Sequence, residues 1–585
     1  MLTHASGRPW VVGRWAPDRI RMSAVRQTRV AVAGFCPATG QALETVADRL
    51  RTVSDLDAAA RRLTGSAHLL ASVDGQVRAQ GTASGVRALF HARLAGVAVA
   101  ADRPDTLARL IGAGLDDETL ALRLLTQQAP HPLRGRPVWQ GVRQVPPGWC
   151  LLMERDGTAH TKRWWQPPEP EVPLREGALA VREALTEAVY TRVRAAAPAV
   201  STDQSGGVDS GTITHLAAHL APGLLTVRRS QLDVGGDDAA WAAHLNGHLP
   251  DAEHLLLEYG HSPTFFAGLD KSARLTLSSE PPFWVRSGAR LVDLAERVAA
   301  RGSRLHLCGH GGDEVFHTAT TCLHTLVRRH PWTGARCVQD RRALRHWPLW
   351  PTVRGLADRG SYASWLGSLG GQLRDPLPSP SLPHLSWTLP VRMPAWTTPD
   401  ALATVHDLLR RAATTRPSPL GRDRAAHITA EFIQYGGATV RYVAGLMAGH
   451  GVDYAAPFLD DRVIEAAMGV QLSERATPRR YKPLLSHAMR GLVPDELLGR
   501  ATKSDFGEDV FDGLRRHRGT LLDLFDGSLL AGRGLIDDAA VRAALHTGHA
   551  FTQTLQALEP TLACEVWLRT LPDRNRQPAL AEGAL

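Results

Sequence analysis

The feature that most constrains the fold is a change of texture at Gln166-Pro167-Pro168-Glu169-Pro170-Glu171-Val172-Pro173. Each proline fixes φ and removes a backbone donor, so this stretch continues neither a helix nor a central strand. Before it, short β-like runs at 29–33, 68–73, 97–100 and 149–153 alternate with the turn signals Asp74-Gly75, Pro146-Pro147-Gly148 and Asp156-Gly157. After it, a helical pattern at 175–197 leads into short apolar runs at 199–202, 224–227 and 305–308, separated by helical periodicity. That alternation predicts a parallel sheet with helical crossovers. The expected organisation is α/β: a β-rich domain over 1–165, a linker over 166–174 and a parallel-sheet domain over 175–585. A proline-rich stretch at 375–396 predicts a surface excursion inside a lid or insertion spanning 316–430. Helical patterns return at 401–414 and from Ile428 onward.

Composition narrows the class. With 585 residues, 44% hydrophobic and 21% charged, the chain has material for a substantial core and is neither disordered nor collagen-like. No apolar run approaches the roughly 18 residues that cross a bilayer, and the first ten residues lack a signal-peptide apolar region. A cytoplasmic protein without a membrane partner is expected. The formal charge is +9, yet of 67 basic residues only Lys162, Lys271, Lys482 and Lys503 are lysines. Such an arginine skew follows genomic base composition, so no nucleic-acid partner is expected. Six cysteines without a C-x-x-C pair exclude a zinc knuckle, a redox motif and a dense disulfide frame.

Two glycine turns carry the chemistry. Ser205-Gly206-Gly207-Val208-Asp209-Ser210 lies between a strand and a helix beginning near Asp209 or Ser210, since Ile213, Leu216, Ala217 and Leu220 share one helical face. Backbone N–H groups of such a turn, with the helix N-terminus behind them, suit an anion; it is not a Walker loop. An ordinary βα turn fits the same spacing. The second turn, Gly309-His310-Gly311-Gly312-Asp313-Glu314, again follows a strand. Ligands of open α/β sheets sit at the C-terminal ends of strands, so Asp209 and Asp313 can share a Mg²⁺ that bridges nucleotide phosphates. Alternatively, Asp313 only caps the next helix.

With these residues in hand, the chain resembles the asparagine synthetase superfamily. The first turn looks like its pyrophosphate loop and 309–316 like its second ATP-site turn. The run 451–460, Gly-Val-Asp-Tyr-Ala-Ala-Pro-Phe-Leu-Asp, is similar to its substrate-side segment. Tyr481-Lys482-Pro483-Leu484-Leu485, Leu492-Val493-Pro494 and Arg500-Ala501-Thr502-Lys503 complete the family order. Residues 66–165 resemble, more weakly, the family's glutamine-hydrolysing Ntn-type domain. The resemblance implies an adenine-nucleotide α-hydrolase-like synthetase domain that uses ATP and Mg²⁺. It places phosphates on Ser205, Gly206, Gly207 and Ser210, the metal on Asp209 and Asp313, and the adenine end near Gly309, Val227 and Arg229. It also implies phosphate or carboxylate contact for Lys482, and for Lys503 stabilisation of the tetrahedral intermediate and pyrophosphate. A surface lysine is the alternative for Lys503. His310 is a candidate base, since its intrinsic pKa of about 6.5 lies near working pH, with Glu431 as a candidate orienting group. A histidine in a glycine turn can equally be structural.

The departures from the family pattern matter as much. The glutaminase nucleophile is a cysteine at position 2, and here it is Leu2. Aliphatic carbon cannot attack an amide, so the first domain is expected to be a degenerate scaffold and the amine to come from the substrate. Superfamily members of that kind are β-lactam and carbapenam synthetases and the lasso-peptide cyclases. The Gly-His-Gly-Gly-Asp-Glu form and the opening Gly7-Arg8-Pro9-Trp10-Val11-Val12-Gly13 resemble the cyclases. Tryptophans 332, 347, 350, 365, 387 and 396 offer a peptide-holding surface or simply pack lid helices. The expected reaction joins the N-terminal amine of a precursor peptide to an Asp or Glu side chain, with a leader peptidase and a leader-binding protein as partners. The alternatives are an ammonia-dependent asparagine synthetase and a β-lactam-synthetase-like ligase of small molecules.

Overall fold

The computed structural model describes residues 1–233, 235–270, 278–500, 506–547 and 551–572. Before the linker the chain forms β1 (Ile20–Val25), β2 (Thr28–Phe35), β3 (Ser66–Val73), β4 (Gln76–Gln80), β5 (Leu89–Leu94), β6 (Val97–Ala101), β7 (Arg143–Val145), β8 (Trp149–Met153) and β9 (Ala159–Arg163). They make an antiparallel sheet of order β9-β8-β4-β3-β2-β1 and a second of order β6-β5-β7. The β3–β4 hairpin turns at Asp74-Gly75, both at positive φ (48° and 81°), the geometry that matches the right-handed twist of its strands. Ala79, Leu89, Val145 and Leu151 pack between the two sheets.

Beyond the linker, β10 (Val200–Asp203), β11 (Leu225–Arg229), β12 (Glu253–Leu257), β13 (Leu305–Leu307) and β14 (Asp453–Ala455) form an all-parallel sheet of order β12-β11-β10-β13-β14. The chain runs outward from β10 on one side and then crosses to β13 on the other. This reversal of strand order opens a crevice at the C-terminal ends of β10 and β13, where α/β folds bind ligands. The class is α/β, as the sequence texture predicts. The helices that shape the site are α1 (Leu174–Ala196), α2 (Val208–Ala218), α3 (Asp238–Asn246), α4 (Gly288–Ala300), α5 (Gly312–Phe316), α6 (Arg424–Ala448), α7 (Asp461–Met468), α8 (Pro483–Met489) and α9 (Asp495–Gly499).

The proline-rich connection is not a loose tether. Val172 donates to Gly469 and accepts from Gln471, both at 2.9 Å, so it pairs with Val470 as a strand would. The segment 316–430 is largely helical, with helices at Cys322–Arg329, Pro331–Arg345, Leu349–Ala357, Tyr362–Ser368 and Pro399–Thr414, while 375–396 contains neither helix nor strand. Its tryptophans divide between two roles. Trp347 and Trp396 are buried, and Trp365 and Trp387 pack around Tyr362; only Trp332 and Trp350 are exposed, at 91% and 78%.

One apolar core runs through both halves of the chain. Val30, Leu69 and Cys150 of the first sheet join Val181 and Leu185 of α1 and Val200 and Leu307 of the parallel sheet. At the seam, Arg192 of α1 grips Asp460 with two 2.7 Å hydrogen bonds, and its guanidinium lies 4.7 Å from the centroid of the Phe35 ring in β2. Both charged side chains are nearly inaccessible, so removing either partner costs about 3–5 kcal/mol. Gly437 of α6 sits where an added Cβ would come within 1.9 Å of the Ser84 carbonyl, so only glycine lets this turn of the first domain dock. Beside it, the Ala83 N–H donates to Asp461 at 2.9 Å, and Arg441 donates to the Gly85 carbonyl.

Burial pushes the Asp461 carboxyl up to about 7, against the pull of its bond from Ala83. The native state therefore holds a proton that the unfolded chain releases near pH 4, and stability falls as pH rises from about 4 to about 7. Asp461→Asn keeps the acceptor and removes the titration. Relative to wild type, it should gain on the order of a few kcal/mol between about pH 4.5 and pH 8. Denaturant unfolding at the two pH values checks this, and parallel profiles for the two proteins would refute it.

Candidate functional site

The first turn leaves β10 at Asp203 and enters α2 through the N-cap Gly207, so the helix begins at Val208, one residue before the earlier of the two starts read from the sequence. Gly206 adopts φ +90°, and a Cβ there would meet the Asp238 carbonyl at 2.5 Å, so both the backbone and the space require glycine. The turn is thus pressed against the first turn of α3. Ser205 and Ser210 close it, hydroxyl to hydroxyl at 2.8 Å, and the Gly207 N–H reaches the Ser205 hydroxyl at 3.3 Å. Arg500 fastens it from outside, donating to the Gly206 carbonyl at 2.5 Å and to Asp237 at 2.6 Å, with Asp238 as a further partner.

The second turn leaves β13, the neighbour of β10, and the two turns touch. A Cβ on Gly309 would lie 2.8 Å from the Ser210 nitrogen, and one on Gly312 would lie 2.3 Å from the Asp209 carboxylate. This contact explains the glycines of the motif and brings Asp209 beside Asp313. Capping of α5 falls to Glu314, whose carboxylate accepts from the Gly311 N–H at 3.0 Å. Asp313 is turned toward Tyr481, whose hydroxyl donates to it at 2.9 Å.

Between the two aspartates stands Lys482. Its Nζ lies 2.6 Å from both carboxylate oxygens of Asp209 and 2.7 Å from Asp313 Oδ1. Burial works to strip the ammonium of its charge, but Asp209 and Asp313 outweigh it and hold the group above the ordinary lysine range. The sequence reading assigned Lys482 to phosphate or carboxylate without separating the two; here its partners are the carboxylates. Two carboxylates converging on one point also fit a hard dication such as Mg²⁺, which takes oxygen ligands and shares them with phosphate.

The remaining expected residues are His310, Val227, Arg229, Glu431 and Lys503. His310 hydrogen-bonds through Nδ1 to the Tyr454 hydroxyl at 2.9 Å and lies edge-on to Trp284, ring centroids 5.1 Å apart. Val227 is buried in the sheet, where its carbonyl accepts from Gln204. Arg229 turns to Asp293 at 3.1 Å and to the Arg290 carbonyl. Glu431 is a correction. It is buried in α6, paired with Arg134 at 2.9 Å and hydrogen-bonded by Thr388, and does not orient His310. Lys503 lies outside the described residues.

Sequence reasoning missed the layer beneath the turns. His306 of β13 is fully buried, bonded to Ser201 at 2.9 Å and Asp203 at 3.1 Å, and stacked flat on Tyr454 at 5.7 Å. Burial pushes the Asp203 carboxyl up, but His306 and then His310 outweigh it and leave it below its usual range. The register that pairs Ser201 with His306 and His306 with Tyr454 was the available signal, and it appears only once the strands are aligned.

Residues 180–569, two thirds of the chain, match the family model described as asparagine synthase. This chain belongs to the asparagine synthase family. Its domain is that of an ATP-dependent, AMP-forming amide ligase. No curated protein matches the chain. Among solved structures, an allosteric regulatory enzyme of purine biosynthesis is 11% identical over 41% of this chain and 62% of its own, with a TM-score of 0.18. Glutamine phosphoribosylpyrophosphate amidotransferase from B. subtilis, complexed with ADP and GMP, is 11% identical over 52% of this chain and 65% of its own, with a TM-score of 0.19. The chain therefore spans less than two thirds of either, and likenesses this slight bear on neither fold nor function.

Lys482→Met should remove this ammonium from between the two aspartates, lowering the Tm by several degrees in chelator, since breaking a buried pair costs about 3–5 kcal/mol. Adding Mg²⁺ should narrow that gap. An unchanged Tm, or a gap insensitive to Mg²⁺, would exclude a shared cation position.

Proposed function

We propose that the protein is an ATP-dependent cyclase of a precursor peptide, forming a macrolactam between the N-terminal amine and an Asp or Glu side chain, as lasso-peptide cyclases do. The observation that carries the ligase part of this reading is the contact between the two glycine turns, which sets Asp209 and Asp313 around one cation position at the sheet's switch point. ATP is a substrate. Its phosphates would lie on the Ser205–Ser210 turn, and Asp209 and Asp313 would hold Mg²⁺, which supplies charge neutralisation and orientation of the phosphates.

A side-chain carboxylate oxygen attacks the α-phosphorus, the bond to pyrophosphate breaks, and an acyl-adenylate remains. The N-terminal amine attacks the acyl carbon, loses a proton, and AMP leaves with the electrons of the broken C–O bond. Lys503 is assigned to the negative charge of that step. His310 is assigned the proton. In the tautomer that donates Nδ1–H to Tyr454, its other nitrogen is the acceptor. Tyr454, fixed by its stack on His306, sets the ring's orientation.

Two observations favour a peptide over a small acid with free ammonia. A cavity of about 1980 Å³ lies between the first domain and the parallel sheet, exceeding the roughly 300–1,000 Å³ of small-molecule sites. Its wall includes Phe283, the neighbour of Trp284, and Tyr454, the partner of His310, and no residue of the two glycine turns. Secondly, Leu2 offers no nucleophile, and burial pushes the thiols of Cys36 and Cys150 up, away from the reactive thiolate. A leader peptidase and a leader-binding protein are the proposed partners.

Mass spectrometry of a candidate precursor incubated with the protein, its protease and Mg-ATP should show loss of one water. Amide formation from aspartate and ammonia, with no change in any peptide, would replace the cyclase reading by asparagine synthesis. His310→Ala should slow amide formation by about 10²- to 10⁴-fold while ATP–pyrophosphate exchange persists, with Tyr454→Phe lying between it and wild type. Equal loss of both activities in His310→Ala would remove the base assignment.

A further inference from the structure

Away from the aspartate pair, two imidazoles and a carboxylate converge on the outer side of α3. His244 lies on α3 and His248 in the turn just beyond it, four residues on, with ring centroids 5.2 Å apart. Glu496 reaches them from α9, and the ligand atoms of all three lie within 4.8 Å of one another. None of the three side chains makes a hydrogen bond or an ion pair with a described residue, so their ligand atoms are uncommitted. Behind them stands His215 of α2, 5% exposed, with its ring 6.4 Å from that of His248. Its Nδ1 bonds to the Gly211 carbonyl at 2.8 Å, while its buried Nε2 has no partner. With Nδ1 bonded to a carbonyl, that Nε2 is an acceptor near the pair, and ligating histidines give their second N–H to a nearby acceptor.

We infer that His244, His248 and Glu496 form a binding site for a borderline divalent transition metal, Zn²⁺ in the first place. Tetrahedral Zn–N and Zn–O bonds of roughly 2.0–2.2 Å bring ligand atoms closer than their present spacing, a contraction within reach of exposed side chains. Three protein ligands leave the fourth position to water. Imidazole donors disfavour Mg²⁺, so this site and the Asp209–Asp313 position select different metals. Its place in the fold gives it a consequence. Four residues beyond Glu496, Arg500 already ties the same segment to Asp237 and Asp238 at the other end of α3, and to the Gly206 carbonyl. A metal at His244 would fasten α9 to α3 at a second point and stiffen the support of the phosphate turn.

The test uses the full-length chain stripped of metal and titrated calorimetrically with Zn²⁺, alongside the His244→Ala/His248→Ala double variant. Wild type should bind one more equivalent than the double variant, at least tenfold more tightly than any shared weak sites, and Zn²⁺ should raise the Tm of wild type only. Glu496→Gln should weaken that extra site, and excess Mg²⁺ should not displace the metal. Co²⁺ should give a tetrahedral visible spectrum in wild type that the double variant lacks. Equal stoichiometry and equal thermal response in wild type and the double variant would overturn the site. All three residues are exposed, and circular dichroism of the variants without metal confirms that the fold is retained.

Discussion

The placement of two carboxylates beside each other is the constraint on which the rest of this structure turns. Like charges at such separations repel, and they persist only where the fold fixes them and a cation answers them. Here the fixing is geometric. Parallel pairing of β10 with β13 sets the two turns side by side, and Gly309 and Gly312 remove the side chains that would otherwise hold them apart. The answering cation is Lys482, delivered at the start of α8 by a residue with φ of 42°. A lysine in the left-handed region is uncommon, and such backbone strain gathers where the surrounding structure overdetermines a functional position.

The first domain is bound firmly into the synthetase half. Its contact with the synthetase half is made of features that tolerate little change: the Arg192–Asp460 pair stacked on Phe35, the glycine at 437 and the buried Asp461. Asp460 ends the segment that the family resemblance places on the substrate side, yet its carboxylate is spent on holding α1. The same segment contributes Tyr454 to the His310 contact. Loss of the first domain would therefore expose apolar core and release the strand that orients the proposed base. The first domain is thus a structural support of the site.

Much of this was legible in the sequence, and what was not has a common cause. The parallel sheet and both glycine turns announce themselves through local rules: periodicity and the need for close backbone approach. Asp209 and Asp313 could be paired because each stands at the C-terminal end of a strand. Lys482 was legible as a site residue but not as their partner, since 273 residues separate it from Asp209 and nothing local encodes that contact. Glu431 failed for the same reason. Its helix was read correctly, but the side chain belongs to Arg134, a residue of the first domain 297 positions earlier. His306 and Tyr454 look like ordinary strand residues until the register stacks them.

The tryptophans carry the argument one step further. A cluster of aromatic residues in an insertion invites a binding role, yet burial divides it. Trp347 and Trp396 are core, Trp365 and Trp387 surround Tyr362 and His427, and only Trp332 and Trp350 face solvent. Substrate recognition therefore need not reside in the insertion at all. The ring that lies against the proposed base is Trp284, outside the insertion and held at φ 66° on the loop before α4. The large cavity meets the same neighbourhood at Phe283, the residue before it. A bulky residue held in the left-handed region beside His310 is fixed by its surroundings, and under the role proposed for His310 this ring bounds the space in which the base acts.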